Sequence, residues 1–234
     1  MEKESKASIF STAAAILVWG GLWGIFEATA GYLLHLFELG IGWLVWYPAA
    51  CFFMLNVYRK TRRTGAVLLV GLLSACIKLV NLFLPGRIDR VLNPAVSIVF
   101  EALTLAAAIS AYNYFFAQKK RSVVFKSLII LCMNTGWRIL YMLYLLFMVP
   151  DWIREISVIS STNAFVEFFF VHNLLTSLIL LGASLMIKYI LKPIRIFEHK
   201  LSAFLSSFPN KTAVGIKSAG AVFVLVCGIA LELL

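Results

Sequence analysis

Apolar runs, broken by short polar, basic or proline-marked stretches, fill this chain almost from end to end. A helix needs about 20 mostly apolar residues to cross a bilayer. The pattern predicts seven such spans, over residues 9–39, 43–58, 64–84, 93–118, 123–149, 156–190 and 215–234. Proline punctuates them. Pro85, Pro150 and Pro193 follow spans, Pro94 suits a first helical turn, and Pro48 lies inside the short second span. Ahead of the seventh span, Ile194, Phe197, Leu201, Phe204, Leu205 and Phe208 recur at helical spacing, with Arg195, Glu198, His199, Lys200 and Ser202 elsewhere on the wheel. That suits a helix lying in the membrane interface more than a docking site for a partner. The expected organisation is an all-α polytopic membrane helical bundle. It has a six-helix core over residues 1–192, an interfacial amphipathic segment over 193–211, and a seventh C-terminal transmembrane helix over 212–234.

Composition strengthens this reading. Of 234 residues, 62% are hydrophobic and 14% charged, against roughly 45–50% and about 25% in soluble domains. A soluble enzyme, a secreted disulfide scaffold and a disordered chain are excluded. The net charge of +10 is dispersed between spans, which argues against a nucleic-acid partner and for cytoplasmic loops. Alternate connections carry Arg59, Lys60, Arg62 and Arg63, then Lys119, Lys120, Arg121 and Lys126, then Lys192, Arg195, Lys200 and Lys211. The intervening ones carry only Arg87, Arg90 and Arg154. The amino terminus is therefore expected in the cytoplasm of a cell that holds the protein in its plasma membrane, with membrane lipids as partners. Trp43, Trp46, Tyr47 and Trp152 fall near the outer boundaries, as an aromatic belt would. Ala28-Thr29-Ala30 has the form of a signal cleavage site, but Glu27 beside it and the continuing apolar run argue for retention. Cys51, Cys76, Cys132 and Cys227 lie inside apolar segments without metal-like spacing and are expected to be small buried hydrophobes.

Charge inside the spans is costly and usually faces a cavity or another charge. At 1.5 Å per residue from the outer helix end, Lys78 lies roughly 9 Å deep, Glu101 roughly 12 Å, and Glu27, Arg138 and Glu167 roughly 18 Å. Ser74, Ser97, Asn134 and Asn163 precede four of these by one turn, on the same helix face. Asn81, Thr104, Tyr141 and Asn173 extend the stripes. Two readings stand side by side: an outward-facing polar pocket, and ion pairs that lock helices together. Three acids against two cations leave one acid without an obvious counter-charge, which a cationic group on a ligand would satisfy. His35 reads as a rim residue or ligand contact, and His172 as a hydrogen-bonded packing residue. No zinc-like spacing, HExxH, nucleophile elbow or Walker A motif is present, so neither a metal, a cofactor nor a catalytic residue is expected. Gly20, Gly24 and Ala28 form a small-residue row on the first span that suits close helix packing, within the chain or against a partner. Gly71 and Ala75 form a weaker one.

The stretches GGLWGIFEATAGYLLH (20–35), RRTGAVLLVGLLSACIKLVNLFLP (62–85) and NPAVSIVFEAL (93–103) resemble the substrate-binding (S) components of energy-coupling factor transporters. The resemblance covers roughly residues 8–192. It implies a six-helix domain with a solute pocket in the outer half of the membrane, and ATP-driven uptake through a coupling transmembrane protein and ATPase subunits. It further implies that Gly20, Gly24 and Ala28 form the docking row. Glu27, Lys78, Asn81, Glu101, Arg138 and Glu167 would line or support the pocket, and Tyr32, Trp43, Trp46 and Tyr47 would wall it. A small vitamin-like, cationic or heterocyclic solute is then the expected cargo. The seventh span departs from the family pattern, and the amino terminus lacks the His-rich start of its nickel and cobalt members. Three rivals remain: a self-sufficient proton-coupled secondary transporter, an intramembrane lipid-modifying enzyme, and a structural subunit.

Overall fold

Each apolar run folds as helix, and the breaks fall at residues that do not continue one. The computed structural model describes residues 2–36, 42–116 and 123–233, and among these all regular structure is helical. α1 spans Glu2–Leu36 and α2 Gly42–Thr61. α3 (Thr64–Leu79) tightens into a 3₁₀ turn over Val80–Phe83, just ahead of Pro85-Gly86. α4 is Asp89–Phe116 and α5 is Val123–Phe147. α4 starts ahead of the predicted Asn93 because turn bonds such as Leu92 N–H to Ile88 O, at 2.9 Å, already wind the chain there. Asp89 sits in its first turn, where an acid suits the helix dipole.

The predicted sixth span divides. After Pro150 comes a single helical turn, α6 (Asp151–Arg154), and residues 155–161 turn back over the bundle. Serines in this stretch bond the backbone instead of extending a helix. Ser157 Oγ donates to Arg154 O at 2.8 Å, and Ser161 Oγ accepts from Ala164 N at 3.2 Å to cap α7 (Thr162–Val166). A π-turn over Glu167–Val171 joins α7 to α8 (His172–Leu185). α9 (Ile187–Ile190), α10 (Lys192–Ser206) and α11 (Asn210–Glu232) complete the chain.

Among the described residues six helices are long and apolar enough to cross a membrane: Ile9–Ala30, Thr64–Phe83, Asp89–Phe115, Val123–Phe147, Thr162–Leu185 and Asn210–Glu232. The protein is an all-α polytopic membrane protein. α2, the other predicted span, is diluted by Trp43, Trp46 and Tyr47 at one end and by Arg59 and Lys60 at the other. It still runs through the core, with Tyr47, Ala50, Cys51, Met54 and Val57 buried. Trp19 and Trp23 of α1, Val67 and Val70 of α3, Ile98 and Leu105 of α4 and Trp137 of α5 pack around it. Leu69, Leu103, Leu143, Phe170 and Phe223 point outward, as lipid-facing side chains would. The cysteines correct an expectation. Cys51 is buried, but Cys76 and Cys132 are exposed on outer faces, where a thiol among apolar side chains is equally at ease.

Adjacent glycines let two helices close on α1 from different sides. A Cβ on Gly20 would meet Leu73 of α3 at 2.7 Å, and one on Gly24 would meet Ile77 at 2.9 Å. A Cβ on Gly21 would lie 2.8 Å from the backbone nitrogen of Leu225 on α11, and one on Gly228 would lie 2.9 Å from Gly21 O. Gly71 presses against Ala102 of α4. The small-residue row is thus filled by the chain's own helices, with Ala28 half-buried above it. α10 is held to the bundle by Glu198, which pairs with Arg59 at 2.8 Å and Lys60 at 3.1 Å. Leu205 is buried while Phe197 and Phe204 stay exposed.

Candidate functional site

A pocket of about 420 Å³ opens at the end of the bundle predicted to face outside. Its walls come from the start of α4 (Asp89, Asn93), the end of α5 (Tyr141), the turns after α6 (Ile156, Ser157, Val158) and the α7–α8 junction (Glu167, Phe168, His172). The segment after α5 forms its cover. Leu145, Val149 and Ile153 make a small buried cluster with Tyr141, Tyr144, Val158 and Ile159. Arg154 braces the cover internally, donating from Nε to Val149 O at 3.0 Å and pairing with Asp151 at 3.1 Å. On the opposite wall Arg87 grips Asp89 with two bonds of 3.0 and 2.8 Å, and Tyr144 Oη donates to Asn93 Oδ1 at 3.1 Å.

The π-turn sets the polar chemistry of this pocket. Glu167 and His172 are five residues apart, and at 3.6 residues per turn an α-helix would point them in different directions. The wider π-turn brings Glu167 Oε1 to 3.3 Å from His172 Nε2. The imidazole lies flat on Trp43 of α2, with ring centroids 3.9 Å apart at 12°. Glu167 itself is largely exposed, with 65% of its side chain accessible. A carboxyl group beside aromatic faces suits a cationic or hydrogen-bonding group on a small solute.

Beneath the pocket floor lie two opposite charges that form no close ion pair among the described residues. Arg138 of α5 is 1% exposed and packed against two rings, its guanidinium carbon 4.7 Å from the Trp137 centroid and 4.5 Å from that of Phe168. It donates from Nη1 to Phe168 O in the π-turn at 2.7 Å, and its Nε has no hydrogen-bond partner among the described residues. Glu101 of α4 is 5% exposed and makes no ion pair or hydrogen bond among the described residues. Glu101, Arg138 and Tyr47 lie within electrostatic reach of one another. Ser74 Oγ is likewise buried without a hydrogen-bond partner among the described residues. Phe168 belongs to both levels: it lines the pocket and covers Arg138.

A second group of charges is paired. Lys78 Nζ of α3 lies 3.2 Å from Glu232 Oε2 near the end of α11, and Asn81 Nδ2 donates to the same oxygen. Glu27, which accepts from Trp23 Nε1 at 3.1 Å, is within electrostatic reach of both Lys78 and Glu232. Glu232 was invisible to the depth argument because it sits at the last turn of a span. It raises the acids to four against two cations.

The sequence-selected residues therefore separate into levels. Glu167 lines the pocket, and Trp43 backs it through His172. Glu101, Arg138 and Tyr47 form the buried layer. Lys78 and Asn81 lie with α11, and Glu27 is within electrostatic reach of both that group and Glu101. Trp46 packs edge-on against Phe26, with centroids 5.8 Å apart, and is not part of the pocket wall. The side chains of Tyr32 and His35 lie outside the described residues. The polar stripes divide in the same way. Asn134 Nδ2 donates to Asn173 O at 2.8 Å and Ser177 Oγ at 2.9 Å, joining α5 to α8, while Ser97 bonds back to Pro94 O at 2.9 Å. Asp89, Asn93 and the 153–158 turns were not selected, because their place in the wall depends on how the cover folds. Among the described residues no group of three metal-ligating side chains comes together. Comparison with family models, curated proteins and solved structures finds no match for this chain.

Proposed function

We propose that this membrane protein is a solute-binding transport protein that captures a small water-soluble, nitrogen-containing solute in the covered pocket. One observation carries the reading. A pocket of about 420 Å³, within the roughly 300–1,000 Å³ of small-molecule sites, sits over a buried arginine and a buried glutamate that are within electrostatic reach of each other but form no ion pair among the described residues. Burying unpaired charge destabilises a fold, and such groups inside a membrane mark solute or ion pathways. Glu167 and His172 would recognise the solute, with Tyr141 and Phe168 against its flat face. Glu101 and Arg138 would respond as the pocket fills. The resemblance to S components extends the proposal to uptake driven by partner ATPases. Because α3 fills the Gly20 and Gly24 row, a coupling subunit would have to meet another surface.

The deciding experiment is purification of the tagged chain from its native membrane in mild detergent, read by native mass spectrometry. Expected are a bound nitrogen heterocycle and co-purification with a second membrane protein and ATPases. Replacing Glu167 and Glu101 together by Gln should abolish solute retention. Retention that survives both replacements would overturn the site. Uptake into vesicles by the lone chain, driven by a pH gradient, would favour the secondary-transporter reading, for which Glu101 is the specific motive.

A further inference from the structure

The opposite end of the bundle holds a second cavity, about 430 Å³, of different chemistry. Its walls come from α2, α4, α5, α8 and α9 and are almost wholly apolar, with Phe52, Leu105, Ile130 and Leu180 among them. The exceptions gather near the helix ends. Tyr58 and Asn113 bond each other at 2.7 Å, and two cations, Arg62 and Lys126, complete the lining. Neither cation pairs with a carboxylate among the described residues, whereas neighbouring Arg59 and Lys60 share Glu198.

Arg62 carries a second, independent signal. Its φ of 55° is the sole left-handed non-glycine backbone among the described residues. It ends α2 with its amide bonded to Tyr58 O at 2.8 Å, the position where helices usually place glycine. The turn alone would be better served by glycine, so a strained arginine points to work for its side chain.

We propose that this crevice holds one anionic membrane lipid, with an acyl chain between α2, α4, α5 and α8 and its phosphate between Arg62 and Lys126. Charge complementarity selects the occupant: apolar walls accept a hydrocarbon chain, and two cations with no carboxylate partner among the described residues suit an anion. This goes beyond solute capture and does not depend on it.

The test uses the full chain in mild detergent with equal amounts of phosphatidylglycerol and phosphatidylcholine of matched chains, read by native mass spectrometry. One phosphatidylglycerol should be retained per chain, at least about ten-fold over phosphatidylcholine. Arg62→Gln with Lys126→Gln should bring the two lipids to equal retention. Ala183→Phe, which fills the crevice and leaves both charges, should reduce retention of both lipids. Excess glycerol phosphate should not displace the lipid; displacement would mean that a soluble phosphate is the occupant. Equal retention of the two lipids by the unaltered chain, or retention unchanged by both kinds of variant, would overturn the proposal.

Discussion

Lys78 and Arg138 are both cations at bilayer depth, yet their surroundings predict opposite behaviour. Lys78 holds α3 to the last turn of α11 through Glu232, whose side chain is 2% exposed. Lys78→Met would leave that carboxylate buried and unpaired, at a cost on the order of 3 kcal/mol. Adding Glu232→Leu should restore most of the loss, because the orphaned charge goes with it. Thermal unfolding in detergent of the two single variants and the double variant measures this coupling. Glu101 has no close ion pair or hydrogen bond to lose among the described residues, only a longer-range attraction to Arg138. Glu101→Gln should therefore raise stability, by on the order of 1 kcal/mol, while lowering solute retention, the trade-off expected of a binding group. A fall in stability comparable with that of Lys78→Met would make Glu101 a structural residue and remove the main support for the site. The depth and kind of these charges could be read from the chain, since both follow from position in an apolar run. Their partners could not. A polar neighbour one turn away shares a helix face, but the rotation of a second helix decides whether that face meets a charge. So Asn134 became a bridge from α5 to α8, and Glu232 was passed over at a helix end.

At the scale of elements, proline and hydrophobic period were dependable guides. The breaks at Pro85, Pro150 and Pro193 and the amphipathic α10 follow directly from them. The π-turn had no such signature, because Phe168, Phe169 and Phe170 are apolar whichever way the helix winds. The division of the sixth span had only a weak one, the serines at 157, 160 and 161, which compete locally for backbone bonds. Helix crossings lie between these cases: the glycines announced close approach without naming the neighbour. The crossing of α1 and α11 gives a prediction with an internal control. Gly228→Ala should destabilise the protein by more than about 1 kcal/mol, since its Cβ would lie 2.9 Å from a carbonyl oxygen that cannot move aside cheaply. Gly220→Ala, on the same helix with nothing within 4 Å, should be neutral or stabilising. Equal effects of the two in thermal unfolding would mean that α11 does not pack on α1 through this contact.

For the whole molecule the decisive asymmetry is charge between the two ends. The end carrying the lipid-type crevice gathers Arg59, Lys60, Arg62, Arg63 and Lys126. The end carrying the covered pocket has Arg87, Arg90 and Arg154, two of them joined to neighbouring acids, Asp89 and Asp151. Orientation follows the excess of cations near span ends, and acids count for little. The basic end should therefore face the cytoplasm, and the pocket should open outward, as capture of an external solute requires. The same asymmetry places the crevice in the inner leaflet, where anionic lipids attract basic segments in many cells, so one orientation serves both sites. Ser160 on the pocket cover and Ser206 at the end of α10 are both exposed and mark the two ends. In a background with the four natural cysteines replaced by Ala, Ser160→Cys should react with a membrane-impermeant maleimide on intact cells. Ser206→Cys should react only after the membrane is opened. The reverse pattern would turn the pocket toward the cytoplasm. Export or an internal ligand would then replace uptake, although the geometry of the pocket itself would stand unchanged.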